Sequence, residues 1–321
     1  MVDDAPIQGL VDGNRSAVAR AITVVETGGP KAIELQQAVF AHTGSAYRVG
    51  ITGPPGSGKS TLINQLIAHF RDHDMSVAVI AIDPTSSYTQ GALLGDRIRM
   101  MEADQDSGVF IRSMASRDCA GGLSYAAHDA ANIFDAAGFD YILIETLGVG
   151  QSELDIASVA DTVMAVVVPE SGDSVQAMKA GLMEIADLFV LNKCDRPDSD
   201  STYVAIQSML NMPSQVNGEW TPDIVKTVAT VGKGIGDLAM QILRHRDYML
   251  ATDGLRKRRQ ERLQHQIRKI VEKTISSELW GRTGMEQLAS SIGLVLDGEL
   301  SPYELARSIV NKYRDSSTGG C

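Results

Sequence analysis

GITGPPGSGKSTL, residues Gly50 to Leu62, is the stretch that decides the fold of this chain. Its central part, Gly53 to Ser60, fits the pattern G-x-x-x-x-G-K-[ST] of the phosphate-binding P-loop. The glycines permit backbone conformations in which successive N–H groups turn inward and surround an anion. Lys59 is predicted to reach the β- and γ-phosphates, and the Ser60 hydroxyl to bind Mg²⁺.

The residues on either side of the loop support this interpretation over a glycine-rich turn that only matches a pattern. YRVGI before the loop is typical of a buried strand, and apolar residues recur at helical spacing after it. The phosphates would then lie at a helix N-terminus, where the helix dipole favours them. The apolar residues of this predicted helix are Leu62, Ile63, Leu66, Ile67 and Phe70.

The base is indicated by VLNKCD, Val190 to Asp195, which places N-K-x-D at the end of an apolar run. An ionised Asp195 only accepts hydrogen bonds, so it can take both the N1–H and the exocyclic amine of guanine. Adenine lacks that pair of donors, and a buried carboxylate without partners is costly. Lys193 would cover the ring, and Asn192 would either bond toward N7 or brace the P-loop. The two motifs together predict GTP rather than ATP.

Further strand-like runs alternate with helical patterns along the chain, and most are apolar throughout. This is typical of strands buried on both faces of a mainly parallel sheet, so the predicted fold class is α/β, a P-loop GTPase with helices on both faces. Two helical stretches, RSAVARAITVVET and KAIELQQAVFAH, are expected to pack on its core. The predicted strands are residues 77–83, 108–112, 139–145, 162–168, 188–192 and 225–229, and the predicted domains are an N-terminal helical extension (1–45), the GTPase domain (46–250) and a C-terminal helical arm (251–321).

Composition excludes several classes of protein. The net charge of −11 argues against broad nucleic-acid binding, and no apolar run is long enough to span a membrane. The first residues lack the features of a signal peptide, so we expect a cytoplasmic protein or one in an equivalent compartment. The three cysteines form no C-x-x-C pair and no cluster with histidine, and no tightly bound organic cofactor is expected beside GTP or GDP and Mg²⁺.

The composition of the chain changes past about residue 240. Leu255 to Trp280 is predicted to form one long helix with an apolar stripe and a strongly basic opposite face. Such a face fits an anionic partner or a membrane surface, but a stripe packed against a second subunit is favoured. Ser301 and Pro302 are the N-cap and first residue of a short terminal helix, and the final SSTGGC is expected to be disordered.

Two stretches supply parts that could sense the γ-phosphate. In YILIETLGVGQSE, Glu145 can hold the Mg²⁺ shell and Gly148 can present its N–H to the phosphate. The loop after Asp83 adds Asp96 as a second carboxylate for Mg²⁺ and its waters. Arg97 and Arg99 of that loop could offset phosphoryl charge or form surface salt bridges.

A glutamine that orients water would be expected directly after Gly148, but that residue is Val149. The nearest amide, Gln151, is displaced by two positions. We therefore expect slow intrinsic hydrolysis that a partner accelerates. The candidate catalytic residues are Lys59, Glu145, Gly148 and Arg99.

Several longer motifs resemble the MeaB/ArgK family of P-loop GTPases, over about residues 49–310. These are GPPGSGKST, AIDPTSSYTQGALLGDRIRM, IETLGVGQSELDIASVAD, SGDSVQAMKAGLMEIADLFVLNKCD and SPYEL. The resemblance implies a homodimer built partly by the C-terminal arm. It also implies GTP-gated delivery of adenosylcobalamin to methylmalonyl-CoA mutase or a relative and removal of damaged cofactor, and it leaves open contact with an adenosyltransferase; neither nucleic acid nor membrane is an expected partner.

The resemblance assigns residues as follows. Nucleotide binding falls on Gly53, Pro54, Pro55, Gly56, Ser57, Gly58, Lys59, Ser60, Thr61, Asn192, Lys193, Asp195, Val228 and Ala229, the last two replacing the family's Ser-Ala pair. Mg²⁺ falls on Ser60, Asp83, Asp96 and Glu145, and coupling to the partner on Gln151, Asp173, Gln176 and Lys179.

The chain departs from the family pattern in ASRDCAGG, where Asp118 and Cys119 interrupt a Ser/Gly-rich segment, and at Leu147, where valine is usual. A related mutase acting on isobutyryl- or 2-hydroxyisobutyryl-CoA is therefore a serious candidate partner. Three alternatives remain: a nickel- or cobalt-insertion GTPase, for which Cys119 and His128 are a thin metal site, a kinase for a small acceptor, and a nucleic-acid-associated GTPase.

The base assignment is tested by Asp195→Asn. An amide donor would meet the extra carbonyl of xanthine, so GTP should bind more weakly and xanthosine triphosphate more tightly than to the wild type. Competition binding with the two nucleotides measures the change. Unchanged GTP affinity would refute the interpretation of N-K-x-D.

Overall fold

The fold was analysed in a computed structural model, which describes residues 4–83, 106–115, 125–146, 152–169, 181–211 and 220–318. Within these ranges one sheet contains seven parallel strands in the order β3-β2-β4-β1-β5-β6-β7. All their carboxyl ends therefore lie along the same edge. The strands are β1 (Tyr47–Thr52), β2 (Val77–Asp83), β3 (Val109–Ala115), β4 (Tyr141–Glu145), β5 (Thr162–Val167), β6 (Leu188–Leu191) and β7 (Asp223–Lys226).

The apolar runs form strands because both faces of the sheet are covered. Every residue of β1, β5 and β6 is buried, which confirms the predicted parallel sheet. The prediction for the last strand was wrong at both ends, since β7 covers 223–226 rather than 225–229. Val228 and Ala229 leave the sheet because their N–H groups bond Lys233 O and Asn192 Oδ1.

Helices cover both faces of the sheet, as predicted. One face packs against the N-terminal helices and α5, through residues such as Ile22 and Phe134, and the other against α4 and α9, through Leu66 and Ile242. In the described ranges the helices are α1 (Asp4–Val11), α2 (Arg15–Thr27), α3 (Pro30–Val39), α4 (Lys59–Arg71), α5 (Tyr125–Ala136), α6 (Ser152–Asp155), α7 (Met183–Ile185), α8 (Ser199–Leu210), α9 (Ile235–Ala251), α10 (Gly254–Leu279), α11 (Arg282–Leu296) and α12 (Pro302–Thr318). None of them is both long and apolar enough to cross a bilayer.

A buried carboxylate ties the N-terminal helices to the sheet. Asp135 of α5 accepts hydrogen bonds from the backbone N–H groups of Gly44, Ser45 and Ala46 at 2.9–3.0 Å. The Arg48 guanidinium lies 3.2 Å from the same carboxylate. The N-terminal helices thus belong to the same compact unit as the sheet, Met1–Arg258.

The remaining residues, Arg259–Cys321, form a second compact unit. Its division from the first falls inside α10, a few residues after the boundary predicted from composition.

α11 was not predicted. α12 begins with the expected cap, because Ser301 Oγ and Glu304 exchange hydrogen bonds with each other's backbone and side chain. α12 continues through Thr318, so the expectation of disorder was wrong for Ser316–Thr318, which still fall within helical backbone hydrogen bonding.

The predicted apolar stripe of α10 is solvent-exposed in the single chain. Its members are 39–59% exposed, which is unusual for a row of large aliphatic side chains. They are Leu263, Ile267, Ile270, Val271 and Ile275.

A buried polar chain lies at the amino edge of the sheet, where the strands begin. Tyr47 OH is 2.6 Å from Thr162 Oγ1, which is 2.7 Å from His245 Nδ1. On the other side of the ring, His245 Nε2 lies 3.4 Å from Asp187 Oδ1. Arg258 binds the same carboxylate through two nitrogens at 2.7 and 3.0 Å.

This chain predicts a pH dependence of stability. Burial lowers the pKa of His245 below its ordinary value of 6.5, although the charge of Asp187 opposes the shift. As the pH falls, His245 therefore takes up a proton in the unfolded chain before it does so in the folded one. The contribution of the neutral, buried ring to the free energy of unfolding is fully present above about pH 6.5 and is lost below it. Urea unfolding at a series of pH values should show a smaller loss on acidification in His245→Gln than in the wild type.

The matched control is His42→Gln, which alters an exposed histidine. It should retain the wild-type pH dependence. Equal pH dependence in the His245 and His42 variants would show that the buried ring does not titrate as stated.

Candidate nucleotide-binding site

The P-loop connects β1 to α4, as predicted, and its glycines are required by their surroundings. Gly53 and Gly58 have φ values of 135° and 93°. A Cβ atom at Gly53 would lie 2.1 Å from Val166 O, and one at Gly58 would lie 2.4 Å from Asn192 Nδ2. The loop therefore packs against β5 on one side and the base-recognition segment on the other, without room for larger residues.

Lys59 lies at the start of α4 and is buried. Its Nζ donates hydrogen bonds to Gly53 O at 2.8 Å and Pro54 O at 3.1 Å, so the side chain folds back over the loop. Burial lowers the pKa of the ammonium group, and the charges of Glu145 and Glu153 oppose that shift. A buried cation held above a glycine-rich loop has the charge and position to bind a phosphate.

The oxygen groups proposed for Mg²⁺ lie beside Lys59. Ser60 Oγ donates to Glu145 Oε1 at 2.7 Å, which brings together a hydroxyl from the first turn of α4 and a carboxylate from the end of β4. Hard oxygen ligands of this kind suit Mg²⁺, which usually takes one or two carboxylates together with phosphate oxygens and waters. The donor set therefore fits Mg²⁺. Of the other predicted ligands, the backbone of Asp83 ends β2, while Asp96 lies outside the described residues.

Asn192 connects three segments of the site. Its Nδ2 donates to Ser57 O of the P-loop at 2.8 Å. Its Oδ1 accepts from Thr227 Oγ1 and from the backbone N–H of Ala229, both at 3.1 Å. Of the two roles considered from the sequence, the structure has Asn192 bracing the P-loop. The side chain is 2% exposed, so these bonds replace water almost completely.

The other members of N-K-x-D lie at the surface of the same edge. Lys193 has a positive φ of 58°, and its Nζ donates to Gly56 O at 2.7 Å, so its side chain runs from the end of β6 to the P-loop. Asp195 is exposed, two residues further along. The preceding residue, Cys194, is fixed by a hydrogen bond from its N–H to Thr227 O. The motif thus presents Lys193 and Asp195 beside the phosphate-binding loop.

Sequence reasoning missed two contributors. Thr227 was assigned to a strand, but its hydroxyl is part of the Asn192 brace. Glu153 of α6 lies close enough to Lys59 for their charges to interact, and burial raises the pKa of its carboxyl. The sequence signal for Glu153 was its position after Gly148, in a stretch that is otherwise typical of a loop. Seven predicted site residues lie outside the described residues: Asp96, Arg99, Gly148, Gln151, Asp173, Gln176 and Lys179.

Transition-metal delivery would need a site of its own. Across the part of the chain that the structure describes, no three His, Cys, Asp or Glu side chains are grouped to hold a metal ion. His128 is buried near Ser158, with Nε2 3.5 Å from Oγ. Cys119, the other residue considered, lies outside the described ranges, as does Asp118.

The parallel sheet, the P-loop between β1 and α4 and the braced N-K-x-D segment define a P-loop GTPase fold. Residues 18–284 match the family model described as methylmalonyl Co-A mutase-associated GTPase MeaB, and the chain belongs to this family. It is 46% identical to a putative GTPase of Pyrococcus abyssi over 97% of each chain. It is 32% identical to the GTPase ArgK of Escherichia coli, over 96% of this chain and 97% of that one.

Among solved structures, that of a LAO/AO transport system kinase matches with a TM-score of 0.73 and 27% identity, over 98% of this chain and 99% of that one. This likeness extends over the C-terminal helices as well as the nucleotide-binding sheet. The family and its relatives confirm the predicted fold and the predicted activity, so the chain is a GTPase.

The Asn192 brace leads to a prediction about nucleotide binding. Asn192→Ala should leave Ser57 O and Ala229 N–H without their buried partner, at about 1–3 kcal/mol for each group. GDP affinity should fall because the P-loop and the base segment are no longer held together. Denaturant unfolding and a fluorescent GDP analogue measure the two effects. Lys193→Ala, which removes one exposed hydrogen bond to the same loop, should lower the free energy of unfolding far less. An equal loss of stability in both variants would contradict the role of Asn192 as a brace.

Proposed function

We propose that this chain is a chaperone whose GTP hydrolysis gates the delivery of adenosylcobalamin to a B12-dependent acyl-CoA mutase and protects that mutase. The family match over residues 18–284 carries the proposal, since its description associates the family with methylmalonyl-CoA mutase. The partner would be that mutase or a relative acting on isobutyryl- or 2-hydroxyisobutyryl-CoA, with an adenosyltransferase as a further contact, in the cytoplasm.

In this proposal the described residues bind and orient GTP. Asp195 and Lys193 hold the guanine, and the brace through Asn192 fixes its distance from the P-loop. Lys59 moves from the carbonyls of Gly53 and Pro54 to the phosphate oxygens. Each contact is charge-assisted or replaces a hydrogen bond already made within the loop.

Ser60 and Glu145 would hold Mg²⁺, which when bound neutralises charge on the phosphates. The charge of Glu153 contributes to the electrostatics of Lys59. Because α6 begins at Ser152, a few residues after Gly148 of the E-x-x-G stretch, a change in Glu153 would be passed to the segment expected to contact a partner.

The proposed assembly is a homodimer built partly by α10. The exposed aliphatic stripe of this helix supports it, because a row of five large apolar side chains is stabilised by burial against another surface.

The test is GTP hydrolysis by the purified protein, alone and with each cobalamin-dependent acyl-CoA mutase encoded in the same genome. We expect a slow basal rate that one mutase raises severalfold. Lys59→Ala, which should lose tight triphosphate binding while remaining folded, is the control for contaminating GTPases. If no mutase changes the rate, the chaperone proposal fails while the GTPase assignment stands.

The same reaction run with γ-labelled GTP distinguishes hydrolysis from the kinase alternative. Label should appear only in inorganic phosphate. Label in a small acceptor would overturn the chaperone proposal in favour of a kinase, the kind of enzyme that the similar LAO/AO transport system kinase is named as.

A further inference from the structure

Two histidines lie side by side at the end of α4 opposite the P-loop. His69 and His73 are four residues apart, and their ring centres are 4.6 Å apart with planes tilted by 39°. His69 lies in the last turn of α4 and is partly exposed, whereas His73 follows the helix and is exposed, as are the carboxylates of Asp72 and Asp74. Neither the GTPase reaction nor the proposed chaperone role uses this pair.

We propose that His69 and His73 form a two-ligand site for a divalent transition metal ion of the nickel, copper and zinc group. Two histidines four residues apart form a recurrent metal-binding pair on helices, the rings of His69 and His73 likewise lie side by side, and imidazole nitrogen suits these ions. The inference does not depend on the proposed function.

The ring separation fits a shared ion. Metal–nitrogen bonds are about 2.0–2.1 Å and an imidazole nitrogen lies about 1.1 Å from its ring centre, which places an ion about 3.2 Å from each centre. Two centres seen at a right angle from the ion are then about 4.5 Å apart, and at a tetrahedral angle about 5.2 Å. The observed 4.6 Å lies within that interval, so the two rings are spaced as a shared ion requires.

The hydrogen bonding of His73 leaves a nitrogen available for the ion. Its Nδ1 lies 2.8 Å from His69 O, and since a carbonyl only accepts, Nδ1 carries the ring proton. In the neutral ring, Nε2 is then the lone-pair donor. Histidine ligands of metals usually have this arrangement, in which the second ring nitrogen donates to a carbonyl or carboxylate.

The backbone that carries the two rings is fixed before any ion binds. Asp74 has a positive φ of 60°, and the N–H groups of Asp74 and Met75 bond Arg71 O and Phe70 O, which is the Schellman end of a helix. Between the histidines, Phe70 is buried and stacks on Tyr141 with ring centres 4.2 Å apart. A turn held in this way loses little conformational freedom on binding.

The local charges favour a cation. Arg71 is bound to Asp106 by two hydrogen bonds of 2.8 and 3.0 Å, so its charge is compensated. The C-terminal end of α4 contributes the negative end of the helix dipole. The described residues offer no third His, Cys, Asp or Glu grouped with the pair, so water fills the remaining positions on the ion. The 13 residues of α4 separate this site from the P-loop by about 20 Å.

The test is titration of the untagged full chain with Ni²⁺, Cu²⁺ and Zn²⁺ by calorimetry. We expect one ion for each chain, and at least about a tenfold weaker affinity in His69→Gln and in His73→Gln, since each variant turns a chelate into a single ligand. His42→Gln, which alters an exposed histidine outside the pair, should bind as the wild type does. Excess Mg²⁺ should not displace the ion, because Mg²⁺ prefers oxygen ligands.

Electron paramagnetic resonance of the Cu²⁺ complex gives a second readout that does not depend on affinity. Coupling to two imidazole nitrogens is expected in the wild type and to one in either variant. The proposal is overturned if the wild type binds no ion, if both variants bind as tightly as the His42 variant, or if the spectra of the variants are unchanged. Both variants should keep the wild-type GTPase rate, which separates this result from the test of the chaperone proposal.

Discussion

A single buried amide holds the nucleotide-binding edge together. Asn192 donates to the P-loop at Ser57 O and accepts from Thr227 and Ala229, and it is almost completely shielded from water. Removing any one of these contacts leaves a buried polar group unsatisfied, so the three segments are fixed as a group rather than one by one. The absence of a side chain at Gly58 follows from the same contact, since a Cβ atom there would overlap the amide. The distance between the phosphate-binding and base-binding segments is therefore set by the fold before GTP enters.

That arrangement is possible because every strand of the sheet runs in the same direction. The P-loop follows β1, Glu145 ends β4 and Asn192 follows β6, so residues distant in sequence meet at one edge. At the opposite edge the starts of β1, β5 and β6 are joined by the chain from Tyr47 through Thr162 and His245 to Asp187. Arg258 ends this chain, and it ties the beginning of α10 to the sheet through Asp187. The amino edge of the sheet is thus held by a buried chain of polar side chains, and the carboxyl edge carries the loops that bind ligand.

Sequence predicted the sheet and the P-loop well because their signals are local. Apolar runs mark strands buried on both faces, and the glycines of the loop lie within eight residues of each other. The same reasoning assigned Thr227 to Ala229 to a strand, since β-branched and small residues there continue the apolar pattern. Their actual position depends on hydrogen bonds to Asn192, and Thr227 follows Asn192 by 35 residues. Local sequence patterns carry no information about a contact over that distance. Glu153 was missed for a similar reason, because its relation to Lys59 exists only in the folded chain. The Schellman end of α4 depends on a positive φ at an aspartate, which sequence patterns rarely reveal.

The contacts of Lys59 show how this site can distinguish its ligands. A buried ammonium group is costly unless it is hydrogen-bonded, and here two backbone carbonyls of the P-loop meet that need. A phosphate can replace those carbonyls only by offering a stronger, charge-assisted contact, so neutral ligands gain nothing from Lys59. The ammonium also interacts with Glu145 and Glu153, one on the strand that ends beside Ser60 and the other on α6. Movement of Lys59 toward phosphate would therefore change the electrostatic environment of both carboxylates at once. Because Glu153 lies on α6, a few residues after Gly148 of the E-x-x-G stretch, that movement would also change the electrostatics of the helix that follows the stretch.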